Sequence, residues 1–288
     1  MSLVLHAPAK VNLTLEVLAR RPDGYHGIRS VMVPVALADT IAVEPGDRFS
    51  FACSAAGLDG ADNLVVRAFA ALGELPPVRV RLEKFVPSQA GLGGGSSDAA
   101  SVLLAAMDGA FGPPPDLDWI ATARALGSDV PFFLAKTAAL VEGTGERVTP
   151  AGALPPWHVL LVKPPVAVST AQAYSRLDER PHESRARSDS VSIALLTALQ
   201  RGEFDDVERL MQNDFEAVVA AGTPEIARAL DALRAAGASN ALLAGSGSCV
   251  FTLVRTQREI DAIFERLALP AEFQRFPTRF AATPAWRA

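Results

Sequence analysis

Residues 87–100 read PSQAGLGGGSSDAA and run on into SVLLAAMDGAF. Gly91, Gly93, Gly94 and Gly95 leave a backbone with no Cβ to hold a ligand away, free to turn its N–H groups inward. Ser96, Ser97 and Asp98 offer N-cap chemistry, and Ala99 to Phe111, rich in Ala, Leu and Met, predicts a helix that starts where the loop ends. The first amides of such a helix lack intrahelical partners and its macrodipole is positive there, so loop and helix together suit a polyphosphate. Glycine-rich turns also precede helices for close packing alone, and the loop by itself leaves that open. Two better-known phosphate motifs do not fit. The Walker pattern ends in GKS or GKT, and no Lys follows these glycines; the dinucleotide pattern GxGxxG is broken by Ser96.

The chain has 288 residues, 49% apolar and 20% charged, the composition of a globular protein with room for one large or two ordinary domains. A net charge of −5 gives no basic footprint for nucleic acid. Cys53 and Cys249 are widely separated, with no CxxC pair or His cluster, so neither a disulfide framework nor a zinc site is predicted and both cysteines read as small buried residues. No apolar run has the length of a membrane span, and MSLVLHAPAK lacks the order of a signal peptide. The expected setting is the cytoplasm, with no membrane, nucleic-acid or protein partner implied.

Along the chain, Val11, Leu13, Leu15 and Val17 alternate with polar residues, predicting a half-buried strand that follows a shorter one interrupted by Pro8. Lys10 and Asn12 share the face opposite the apolar one, which for a strand lysine ordinarily means solvent. RPDGYHG (21–27) is a turn carrying Tyr25 and His26, rings able to stack on a planar base or to pack on the protein. Residues 28–43 predict two strands joined at Ala38-Asp39, Asp62 caps a helix through Val65 and Phe69, and VRVRLEKFVP is the strand entering the glycine loop. A helix over 117–126 precedes GSDVPFFLAK, where Asp129 sits in partly apolar surroundings, placed either to accept a proton or simply to cap a helix turn. ALVEGTGERVTP is strand-like, and the Pro and Gly content near 149–156 marks a domain junction, dividing the chain into 1–150 and 151–288. The second half opens with the strand WHVLLVKPP and a helix from Ser169 that includes Tyr174. Residues 179–190 read as a polar surface loop, three helical stretches follow, including FDDVERLMQNDFEAVVAAG as one helix, and NALLAGSGSCVFTLV holds a Gly-Ser turn between two strands. Strands and helices without strict βαβ alternation indicate an α+β fold.

Three separated stretches agree with one family. APAKVNLTLEV with RPDGYH, PSQAGLGGGSSDAA, and LLAGSGSCVFTL resemble, in order and spacing, the three motifs of the GHMP kinases, the superfamily of galactokinase, homoserine kinase and mevalonate kinase. Within it, PAKxNLxLxVxxRRPDGYH and GSDVPFF look like the branch that phosphorylates 4-diphosphocytidyl-2-C-methyl-D-erythritol, in the non-mevalonate isoprenoid route. The resemblance implies two domains with the active site between them, Asp129 as catalytic base and Lys10 as its partner. It implies ATP held by Pro87, Gly91, Leu92, Gly93, Gly94, Gly95, Ser96 and Ser97, with Asn63 and Lys84 toward the adenine. Asn12, Tyr25 and His26 would hold the cytosine end, with Tyr174 where the family often has Phe, and Gly245, Ser246 and Gly247 would line the site from the other domain. The implied partner is thus a small molecule carrying a cytidine diphosphate group. Mg²⁺ is expected with ATP; no protein ligands are assigned, although Ser97 or Asp98 lies within reach of it. The rival readings are a homoserine or mevalonate kinase, against which RPDGYH stands, and a silent nucleotide sensor, against which the pairing of Lys10 with Asp129 stands. A dinucleotide-dependent oxidoreductase is a more distant one, given the broken GxGxxG.

Overall fold

The computed structural model describes residues 2–22, 24–74, 76–179 and 190–281. The first half runs β1 (Leu3–Asn12), β2 (Thr14–Arg20), β3 (His26–Pro45), β4 (Ser50–Cys53), α1 (Leu64–Ala71), β5 (Val78–Glu83), α2 (Gly94–Met107), α3 (Trp119–Leu126), α4 (Val130–Leu134), β6 (Ala138–Gly143) and β7 (Arg147–Gly152). The second runs β8 (His158–Lys163), α5 (Thr170–Asp178), α6 (Val191–Arg201), α7 (Phe204–Leu210), β9 (Gln212–Asn213), α8 (Glu216–Ala221), α9 (Pro224–Ala235), β10 (Leu242–Leu243), β11 (Val250–Val254), α10 (Gln257–Arg266) and β12 (Gln274–Arg279). The result is the α+β architecture expected, built on two sheets.

The 20-residue β3 is the spine of the first sheet, pairing with β1, β2, β5 and β6. It is one strand where two were expected, because β1 pairs with it across Ala38-Asp39 and β5 takes up its other edge from Thr40 onward. β1 likewise continues through Pro8, but its register shifts there: Pro8 faces Ala38 and Ala9 faces Val35, leaving Ala36 and Leu37 as a bulge. The bulge changes which face each residue takes. Before it, Leu5 packs with Ile41, Phe69 and Leu103 under the helices; after it, Ala9 and Val11 pack with Leu161 and Phe251 between the two sheets. Lys10 and Asn12 therefore point to the helix side of a sheet covered on both faces. Both are buried rather than solvated.

The second sheet, in the order β10-β11-β8-β12, is antiparallel throughout. Its other face is covered by residues of α5, α8, α9 and α10. The expected single helix over FDDVERLMQNDFEAVVAAG is instead α7, β9 and α8. Its periodicity is interrupted because Gln212 N and Asp214 N donate to the carbonyls of Leu13 and Leu15, and β9 joins the first sheet in parallel with β2. ALVEGTGERVTP is a hairpin, β6–β7, rather than one strand. The expected loop at 179–190 falls, from 180 to 189, outside the described residues. Among the described residues no helix is long and apolar enough to cross a membrane.

Candidate active site

A cleft of about 1870 Å³ is lined from both halves of the chain, and Lys10 and Asp129 meet in it. The register shift at the β3 bulge aims Lys10 at the first turn of α4, where its Nζ lies 3.5 Å from Asp129 Oδ2. Lys10 is 4% exposed and Asp129 30%, so a buried cation backs a carboxylate that reaches the cleft. Lys10 Nζ also donates to Asn12 Oδ1 (2.8 Å), Asn12 Nδ2 to Ser30 Oγ (2.8 Å), and Ser30 Oγ to the Thr14 carbonyl (2.6 Å), a chain that fixes the ammonium. Asp129 occupies the N-cap position of α4 but makes no side-chain capping bond. Its carboxylate reaches the cleft instead, so the capping bond that the sequence offered as one alternative is not made.

The glycine loop forms one end. It is held between the halves: Lys10 N donates to the Leu92 carbonyl at 2.9 Å, and Cys249 N to the Ala90 carbonyl at 3.1 Å. Gly91 has φ +75°, and a Cβ there would fall 2.0 Å from the Ala244 carbonyl oxygen, so only glycine fits this crossing. Across it, Gly245 comes so near Lys10 that a Cβ would stand 3.3 Å from Nζ. Asn213 holds this second turn, its Nδ2 donating to the carbonyls of Leu243 and Gly245. The loop helix starts earlier than expected. Gly93 is its N-cap, without a side-chain bond, and Ser97 and Asp98 are buried inside α2 instead of capping it. The free first amides thus belong to the glycines themselves and to Ser96, the first intrahelical bond being from Ser97 N to the Gly93 carbonyl.

The other end is aromatic. Tyr25 is 70% exposed, while His26 is buried and stacks on Tyr174 with centroids 5.4 Å apart and planes 17° apart. His26 Nδ1 lies 3.0 Å from the Leu18 carbonyl, which can only accept, and Nε2 lies 3.0 Å from Asp178 Oδ1 on α5. Tyr174 meets Phe215 edge-on at 4.8 Å. Burial, then the nearby Asp129 charge, pushes the Tyr174 hydroxyl up to about 12. Ser246 shares a 2.8 Å hydroxyl contact with Thr170 at the start of α5.

Lys10, Asn12, Tyr25, His26, Asp129 and Tyr174 therefore share one cleft, together with Gly91, Gly93 and Ser96 of the loop and the turn Gly245, Ser246, Gly247. Pro87, Leu92, Gly94, Gly95 and Ser97 belong to the same loop and helix but do not line it. Neither do Asn63 and Lys84. Asn63, not Asp62, caps α1: its Oδ1 accepts from Val65 N at 2.9 Å and its Nδ2 donates to the Leu58 carbonyl at 2.7 Å. Lys84 Nζ is turned inward, between the carboxylates of Asp39 and Asp98. Burial pushes Asp98 up to about 7, the Lys84 ammonium opposing this and the Asp39 charge adding to it. For Lys84 burial acts downward, but the charges of Asp98 and Asp39 prevail and its pKa is raised.

Sequence reasoning missed Asp39, although a carboxylate set in the apolar run VMVPVALADTIAV is a signal for a buried partner. It also missed the β6–β7 tip, where Thr144 and Glu146 line the cleft beside Arg124. Thr144 N and Oγ1 both donate to Glu146 Oε2. Among the described residues no group of three or more His, Cys, Asp or Glu is placed to hold a metal. Ser97 Oγ and Asp98 Oδ1 are buried without a hydrogen-bond partner at the start of α2.

The GHMP kinases N terminal domain model matches residues 63–137 and the GHMP kinases C terminal model residues 195–271. The 4-diphosphocytidyl-2-C-methyl-D-erythritol kinase of Solidesulfovibrio magneticus is 42% identical over 276 residues, covering 88% of this chain and 89% of its own. A crystal structure of a 4-(cytidine 5'-diphospho)-2C-methyl-D-erythritol kinase superposes with a TM-score of 0.81 at 38% identity, covering 96% of this chain and 99% of its own. Homoserine kinase from Cytophaga hutchinsonii shares the fold at a TM-score of 0.72, with 18% identity, 98% of this chain and 95% of its own covered. With two family models in their proper halves and this level of identity along nearly the whole length, the chain belongs to the GHMP kinases, in the branch of the 4-diphosphocytidyl-2-C-methyl-D-erythritol kinases.

Proposed function

We propose that this chain transfers the γ-phosphoryl group of ATP to the 2-hydroxyl of 4-diphosphocytidyl-2-C-methyl-D-erythritol, yielding the 2-phosphate and ADP in the non-mevalonate route to isoprenoid precursors. The observation that carries the chemistry is the Lys10–Asp129 pair, 3.5 Å apart, standing between the glycine loop and the aromatic end of one cleft. The acceptor hydroxyl oxygen forms the new bond to the γ-phosphorus as the bond to the β-bridging oxygen breaks. Its proton passes to Asp129 and ADP leaves. Lys10, held by Asn12, offsets the negative charge gathered on the moving group. The loop amides from Gly91 to Ser96 hold the ATP phosphates, the Ser97 amide being committed to the Gly93 carbonyl, and Tyr25, with the His26–Tyr174 pair beside it, receives the cytosine.

Mg²⁺ bound with ATP would screen the β- and γ-phosphates. The protein atom that fits it is Ser97 Oγ, buried without a partner; Asp98 is engaged by Lys84, so the phosphates and water supply most of the ligands. The division into 1–150 and 151–288 belongs to this reading; the change of sheet falls between Gly152 and His158, which supports a junction just after residue 150, past the end of β7. The unpaired Cys53 and Cys249 suit a reducing cytoplasm.

The test is product identity. Purified protein incubated with Mg-ATP and 4-diphosphocytidyl-2-C-methyl-D-erythritol gives a new phosphomonoester whose phosphorus couples to the 2-position in NMR. A phosphate at another position, or none, overturns the proposal.

A further inference from the structure

The buried carboxylates Asp39 and Asp98 take no part in the chemistry above, yet both are tied to the glycine loop. Asp39, on β3, accepts through Oδ1 from the amides of Phe85 (2.6 Å) and Val86 (2.8 Å), and through Oδ2 from Lys84 Nζ. Lys84 Nζ also donates to Asp98 Oδ2 at 2.8 Å, in the second turn of α2. The side chains of Lys84, Asp39 and Asp98 are 8%, 0% and 3% exposed. One ammonium and two carboxylates thus join the spine strand, the residues entering the loop and the helix leaving it. Burying three charges is costly, and a hydrophobic set of equal volume would serve stability as well or better. Such a cluster does specify geometry, because each donor and acceptor has one satisfactory arrangement.

We infer that Asp39 and Asp98, acting through Lys84, are positioning residues for the nucleotide loop. They clamp both of its ends, so that its amides are presented to phosphate before ATP arrives. This rests on the reading of the loop as the ATP site. Lys84 serves here as the bolt of the clamp, its Nζ turned away from the cleft. Preorganisation of this kind lowers the ordering cost of binding and so acts on nucleotide affinity, not on the acceptor.

The test combines amide hydrogen exchange of the free protein with steady-state kinetics, on wild type, Lys84→Met and Asp98→Asn. Asp98→Asn keeps the volume and an acceptor for Lys84, so it serves where Lys84→Met fails to fold. The clamp predicts exchange across 85–97 about tenfold faster in Asp98→Asn, with the second-half helices unchanged, and an ATP KM about tenfold higher at an unaltered acceptor KM. It is overturned if the 85–97 amides of Asp98→Asn exchange at the wild-type rate, or if its ATP KM stays put while thermal stability falls. A rise in ATP KM confined to Lys84→Met also overturns it, in favour of direct contact between Lys84 and nucleotide. Should wild type bind no ATP, the assignment of the loop fails, and the exchange data alone decide the clamp.

Discussion

The two ends of the cleft are built by opposite means. At the glycine end, the proposed recognition lies in backbone: amides freed by the start of α2, a crossing at Gly91 too tight for any side chain, and a buried cluster of charges beneath. At the aromatic end it lies in side chains brought from distant parts of the chain, Tyr25 and His26 from the entry to β3, Tyr174 and Asp178 from α5. Phosphates are alike in every ATP-dependent member of a superfamily, so a backbone cradle can be shared. Acceptors differ, and exchangeable side chains are where that difference can be accommodated.

Changes at the junction of the two ends should cost most. Asp129→Asn keeps shape but cannot take the proton, and turnover should fall about 10²–10⁴-fold with ATP binding retained in a direct titration. A fall of less than about tenfold would remove Asp129 from the base role. Next is the glycine end. Gly91→Ala sets a Cβ 2.0 Å from a carbonyl oxygen, and should destabilise by about 1–3 kcal/mol in denaturant unfolding while raising the ATP KM. At the aromatic end, Tyr174→Ala should raise the acceptor KM about tenfold or more with the ATP KM unmoved. Tyr174→Phe should change either by less than about threefold, since a hydroxyl pushed up to about 12 is uncharged across the working range and the ring is what packs. An equal rise in both KM values for Tyr174→Ala would mean that the ends are not separable. The smallest effect belongs to Asn63→Ala, which should lose about 1 kcal/mol of stability through its cap and leave the ATP KM alone; a raised KM would return Asn63 to the nucleotide site.

The same contrast explains what was legible in the sequence. The glycine loop could be read because local chain chemistry makes it: glycines, then a helix former, wherever the rest of the chain lies. The strand alternation from Val11 to Val17 and most helix positions were legible for the same reason. Side-chain destinations were not. Lys10 reads as solvated until the bulge at Ala36 and Leu37 of the facing strand turns it toward α4. Asp129 reads as a cap, yet its carboxylate makes no capping bond and stands beside Lys10 instead. Asn213 sits in a helical period that gives way because β2 offers a free edge and the 243–245 carbonyls need donors. Lys84 cannot be assigned until Asp39, 45 positions away, is seen beneath it. The family resemblance supplied the pairing of Lys10 with Asp129, which spacing alone does not contain.

The most direct measurement is ADP release under Mg-ATP with four parallel additions: 4-diphosphocytidyl-2-C-methyl-D-erythritol, homoserine, mevalonate, and no acceptor. A shared phosphate cradle with a selective aromatic end predicts release with the cytidine compound at least about 100-fold above the other three. Comparable release with homoserine or mevalonate would contradict it, leaving a kinase whose aromatic end does not select the acceptor.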